Sequence, residues 1–101
     1  MLTDKTCFCT GQRIFMPEIS RFLGISIRMY FNDHNPPHFH VKYNDYRAPI
    51  TIKELKISEG YLPKRVHMLV IEWAIENRTK LLKNWNSIHD TGTFKKIEPL
   101  V

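Results

Sequence analysis

Asp33, His34, His38 and His40 crowd into eight residues, with Arg28, Tyr30, Lys42 and Arg47 close on either side. Imidazoles exchange protons near neutral pH, so a pair of them can act as general acid and base. Guanidinium and ammonium groups hold phosphates, and an aromatic ring stacks on a base. Together these are the parts that metal-independent cleavage of RNA requires. His38 and His40 would move the protons and Arg28 and Lys42 would clamp phosphate. Tyr30 would stack or donate, and Arg47 would widen the basic surface. This reading needs no cofactor.

The same imidazoles offer a second chemistry. His34-x3-His38-x-His40, with Asp33 beside it, places three nitrogen donors near one another. Three ligands with an open position suit one divalent transition metal such as zinc, iron or nickel. The two chemistries exclude each other, because a nitrogen bound to a metal is not a free base. The plain alternative is a solvated sheet face, with Asp33, His34 and Asn35 merely hydrogen-bonding their own loop.

Strands must position these groups. From Gly24 the chain alternates: Ile25, Ile27, Met29 and Phe31 on one side, Ser26, Arg28, Tyr30 and Asn32 on the other. Asp33-His34-Asn35-Pro36-Pro37 reads as a loop. Alternation resumes with Phe39, Val41 and Tyr43 against His38, His40 and Lys42. Asn44-Asp45 suits a two-residue turn. A third strand then sets Tyr46, Ala48, Ile50 and Ile52 inward, with Arg47, Pro49 and Thr51 outward. This turn pairs Tyr43 with Tyr46, Val41 with Ala48, Phe39 with Ile50 and His40 with Pro49. Pro49 has no N–H to give a further neighbour, so this strand is expected at an edge. Leu55–Ile57 offers a further short strand.

A helix is expected from about residue 64, with Pro63 at its first turn. Val66, Leu69, Val70, Trp73 and Ala74 form one apolar stripe, and Leu81, Leu82, Trp85 and Ile88 continue it past a kink or break at 77–79. Met68, Ile71, Ile75 and Leu82 make a second stripe. Its cover is expected from within the chain (a second helix or the 19–23 segment) or from a small partner protein or second copy. His67 and His89 read as surface or packed side chains. Thr91-Gly92-Thr93 should end the helix, and Phe94, Ile97 and Leu100 could pack back on the core. The fold class expected is α+β: an antiparallel meander of three to four strands, with a long or broken C-terminal helix packed on one face.

The chain has 101 residues, 43% of them hydrophobic, and a formal charge of +5. That is one domain with enough apolar content for a modest core. No run of about 18 apolar residues exists, so no membrane association is expected, and the location expected is cytoplasmic. Two cysteines cannot build a disulfide framework, and Cys7-x-Cys9 is half a zinc site at most. Residues 1–15 are polar and aperiodic and are expected to be a flexible extension, with Met16 as an alternative start of a single domain over 16–101.

Several of these segments resemble one family of short bacterial proteins. They are Met16-Pro17-Glu18-Ile19-Ser20-Arg21-Phe22, Ile27-Arg28-Met29-Tyr30-Phe31 and Asp33-His34-Asn35-Pro36-Pro37-His38-Phe39-His40. Leu62-Pro63-Lys64-Arg65, Glu72-Trp73-Ala74, Leu81-Leu82-x-Asn84-Trp85 and Ile97-Glu98-Pro99-Leu100 add to the likeness. The family is domain-of-unknown-function family 4160. Its members often look like one half of a two-gene unit resembling a toxin–antitoxin pair. The resemblance therefore implies a toxin-like component, here expected to bind and cleave RNA. The alternative is a non-enzymatic, antitoxin-like binding module working through its apolar helix face, or a small histidine-based metal-binding protein.

Overall fold

The computed structural model describes residues 17–101. Cys7, Cys9 and the expected extension lie outside the described residues. Four strands form one antiparallel sheet in chain order: β1 (Glu18–Phe22), β2 (Ile25–Arg28), β3 (His38–Tyr43) and β4 (Tyr46–Thr51). One helix follows, α1 (Lys64–Thr91). The fold is α+β, a meander with a long, kinked C-terminal helix.

The β3–β4 register is the one that the side-chain pattern dictates. Tyr43 faces Tyr46, Val41 faces Ala48, His40 faces Pro49 and Phe39 faces Ile50. Any slip by one residue would turn the apolar set out to water. Phe39, Val41, Ala48 and Ile50 are all buried, as are Ile25, Ile27 and Met29. Two details differ from expectation. β2 stops at Arg28, and Phe31 is 47% exposed rather than inward. Tyr46 at the hairpin end is also exposed, and its ring meets Tyr61.

The fourth strand lies at the opposite end of the sheet from the one expected. Residues 19–23 do not cover the helix from outside; Glu18–Phe22 is a strand paired with β2. Leu23-Gly24 joins them with φ of 52° and 79°. Two positive φ values fit the right-handed twist of a tight hairpin, which Gly24 adopts freely and Leu23 does not. An irregularity between Glu18 and Ser20 buries both Ile19 and Ser20 and hid the alternation. Leu55–Ile57 contributes a single bridge, Ile50 to Ile57, along the outer edge of β4.

The helix lays Val66, Val70, Trp73, Ala74, Leu81, Trp85 and Ile88 on the sheet. Each fully buried aliphatic side chain here contributes about 1.5–3 kcal/mol. Trp73 sits between Phe22 and Phe39, with ring centroids 5.6 and 6.1 Å away. Asn77 leaves helical geometry (φ −119°, ψ 17°) and marks the kink. Its Nδ2 donates to the Trp73 carbonyl at 2.8 Å. Gly92 closes the helix in the left-handed conformation, its N–H shared by the Ser87 and Ile88 carbonyls. The tail then turns back: Ile97 is buried and its N–H reaches the Ile19 carbonyl at 2.8 Å. Buried Asn84 holds the Lys95 backbone by both of its amide atoms.

Candidate functional site

Alternation on the sheet places the candidate residues in rows on its outer face. One row runs Glu18, Arg28, His40, Pro49 across the four strands. The next runs Arg21, Ser26, Lys42, Arg47. The rows are about 7 Å apart along each strand.

Charge is distributed unevenly over these rows. The Glu18 carboxylate lies 2.8 Å from Arg21 and 3.7 Å from Arg28, and accepts the Ser26 hydroxyl at 2.6 Å. Burial pushes this carboxyl up. The Ser26 and Arg21 hydrogen bonds and the two guanidinium charges outweigh it, leaving it below its ordinary value. Lys42 and Arg47 stand in contrast. They face each other directly across the β3–β4 hairpin, both exposed, with no ion pair among the described residues. Like charges placed opposite each other destabilise a sheet.

The histidines converge where β3 begins. The 33–37 loop turns there, with Asp33 N–H on the Tyr30 carbonyl. Asp33 Oδ2 lies 2.9 Å from His40 Nε2 and 3.2 Å from His38 Nε2. His38 Nδ1 donates to the Pro36 carbonyl at 2.8 Å. His40 stacks on Tyr30, with centroids 4.1 Å apart and planes 9° apart. His40 Nδ1 makes no hydrogen bond among the described residues. His38 meets Trp85 at 5.2 Å, and Trp85 in turn meets His89 at 4.2 Å. His89 bridges two carbonyls, Trp85 O through Nδ1 and Asp33 O through Nε2, each at 2.8 Å.

Asp33, His38, His40, Tyr30 and Arg28 therefore share one neighbourhood, and Lys42 with Arg47 lies one row away. His34 is exposed and outside the cluster; Asp33 takes the place the three-histidine set gave it. Trp85 and His89 are part of the surroundings, which sequence reasoning missed. His89 is 56 residues from Asp33, and only the packing of the helix end against the loop brings them together. On the helix, Met68, Ile75 and Leu82 are 62%, 57% and 43% exposed and face outward, whereas Ile71 of the same stripe is half-buried against the core. Among the described residues no helix is long and apolar enough to cross a membrane.

The sequence model of the domain-of-unknown-function family DUF4160 matches residues 24–86, more than half of the chain and the whole span from β2 to the distal part of α1. The chain belongs to that family. No curated protein and no solved structure shows a significant match to it.

Proposed function

We propose that this member of the DUF4160 family is a toxin-like component of a toxin–antitoxin-type module that binds single-stranded RNA on the outer face of its sheet. The toxin-like role comes from the family resemblance, and the RNA reading comes from the face itself. The observation that carries it is the exposed Lys42–Arg47 pair. Two like charges side by side weaken the hairpin, and an anion between them removes the repulsion. Tyr30, stacked on His40 one row away, supplies an aromatic platform for a base.

Cleavage would follow from the neighbouring imidazoles. Asp33 orients His40 through Nε2 and leaves Nδ1 to take the proton of a ribose 2′-hydroxyl. The 2′-oxygen attacks the adjacent phosphorus, and the 5′-oxygen departs with a proton from Nε2 of His38, whose Nδ1 hydrogen is held by the Pro36 carbonyl. The products are a 2′,3′-cyclic phosphate and a 5′-hydroxyl.

Fluorescence anisotropy with single-stranded RNA tests the binding. The Lys42→Ala/Arg47→Ala variant, with both cations removed, should show a slope of log affinity against log salt that is shallower by about 1.4. His40→Ala should keep the wild-type salt slope, slow cleavage by about 10²–10⁴-fold, and relieve growth arrest when the full chain is induced in bacteria. A salt slope unchanged in the Lys42→Ala/Arg47→Ala variant would remove the RNA reading. Arrest by His40→Ala equal to wild type would remove the catalytic part alone.

A further inference from the structure

The cluster at the start of β3 has a second chemistry that proton transfer does not use. Asp33 Oδ2, His38 Nε2 and His40 Nε2 all lie within 4.8 Å of one another. Both imidazoles aim at the same carboxylate oxygen, while Asp33 Oδ1 accepts no hydrogen bond among the described residues. The His38 contact is informative. A carbonyl oxygen only accepts, so the bond to Pro36 fixes a hydrogen on Nδ1. In the neutral ring this leaves a lone pair on Nε2, directed at the lone pairs of Asp33 Oδ2 only 3.2 Å away. A cation between them turns that repulsion into coordination. One cation satisfies all three atoms at once, His40 then carrying its hydrogen on Nδ1, whereas without a cation both imidazoles must present a hydrogen on Nε2 to Asp33.

The dimensions agree. Ligand atoms about 2.0–2.2 Å from a tetrahedral metal stand about 3.3–3.6 Å apart. The 2.9 and 3.2 Å contacts fall just short of that range and the separation between the two imidazole nitrogens lies within 4.8 Å, so side-chain adjustments bring the three atoms to it. His38 carries the support that metal ligands ordinarily have, a hydrogen bond from its other ring nitrogen, and the remaining groups are held in other ways. His38 is held by the Pro36 carbonyl, His40 by its stack on Tyr30, and the Asp33 backbone by His89 and Tyr30. The three side chains are partly exposed, so a cation can enter and a water can complete its shell.

We infer that Asp33, His38 and His40 form a two-histidine, one-carboxylate site for a single divalent transition metal of the zinc class. The inference rests on the cluster alone and stands whether or not the sheet face binds RNA. A cation held by these atoms takes both imidazoles out of proton transfer. Zinc is therefore expected to suppress the cleavage proposed above. Cleavage that rises with zinc would overturn the acid–base assignment and support the metal site.

The test uses untagged, chelator-stripped full-length protein with no RNA present. Titration with Co²⁺ is expected to give one saturating equivalent with the visible absorption of a low-coordinate nitrogen–oxygen site, displaced by Zn²⁺. Asp33→Asn and His40→Ala should each weaken binding by about 100-fold or more. His89→Ala, which frees the Asp33 carbonyl, should cost about 10-fold. His34→Ala should bind as wild type. Circular dichroism checks each fold, and Asp33→Asn keeps the test decisive if His40→Ala does not fold. No saturable Co²⁺ binding by the wild type would overturn the site. So would binding that survives Asp33→Asn undiminished, or that disappears with His34→Ala.

Discussion

Glu18 shows how a single side chain prepares the outer face. It holds Arg21 and Arg28 together, so these two arginines are already engaged, whereas Lys42 and Arg47 are not. Its carboxyl lies below the ordinary value of 4.5 because the Ser26 and Arg21 hydrogen bonds and guanidinium charges overcome the cost of burial. In the unfolded chain the group returns to that ordinary value. Between the two values the unfolded form binds more protons, so stability falls as pH falls. The contribution is fully present above the ordinary value and lost through the lowered one. Glu18→Gln is therefore expected to reduce stability at pH 7 by about 1 kcal/mol. It should also flatten the acid side of a denaturation-against-pH curve, with no change in slope above about pH 6. A steep acid limb surviving in the variant would assign it to other carboxylates. The candidate site residues were partly legible at this scale. His38 and His40 could be placed on one face by counting, and the Asp33 neighbour was visible. His34 was not separable from them, because nothing local says which way a loop side chain turns. His89 carried no signal at all, since its role depends on a contact formed only when the helix end meets the loop.

The sheet elements were legible wherever period two was unbroken. β3 and β4 could be registered residue by residue because the apolar faces match in only one alignment and Pro49 confirms the edge. β1 was not, for two physical reasons. The irregularity at Glu18–Ser20 puts adjacent residues on the same side, and the turn contains Leu23, which is not a turn-forming residue. That turn also carries a prediction. Leu23 holds a φ of 52° with its side chain 57% exposed, so it bears a backbone cost without burying its side chain. Asn or Gly tolerates this conformation and makes the preferred pair with Gly24. Leu23→Asn should raise stability by about 1 kcal/mol, or the melting temperature by about 4–8 °C. A melting temperature that falls would mean that Leu23 makes a contact worth more than its strain. The helix was legible in its start, its kink and its end, because Pro63, Asn77 and Gly92 each act locally. Its outward stripe of Met68, Ile75 and Leu82 was also legible, as apolar residues left over once the inner stripe was assigned.

In the whole molecule, the helix carries two tasks on either side of Asn77. The proximal half buries Val66, Val70 and Trp73 on the sheet. The distal half carries Trp85 and His89, which support His38 and the Asp33 loop. Arg78 fastens the start of that half to the Ile52 carbonyl, and Asn84 clamps the returning tail. The His89 bridge has a consequence for the molecule's fluctuations. A segment whose fixing bonds end on another segment cannot open by itself. Amides of residues 78–91 and that of Asp33 should then exchange with deuterium through one shared opening, with equal free energies at low denaturant. His89→Ala should split that unit, with Asp33 exchanging faster while the helix keeps its protection. Unequal free energies in the wild type would show that the bridge does not couple them. On this account, the lifetime of the cluster at the start of β3 is recorded in the exchange of a helix turn that lies 56 residues away along the chain.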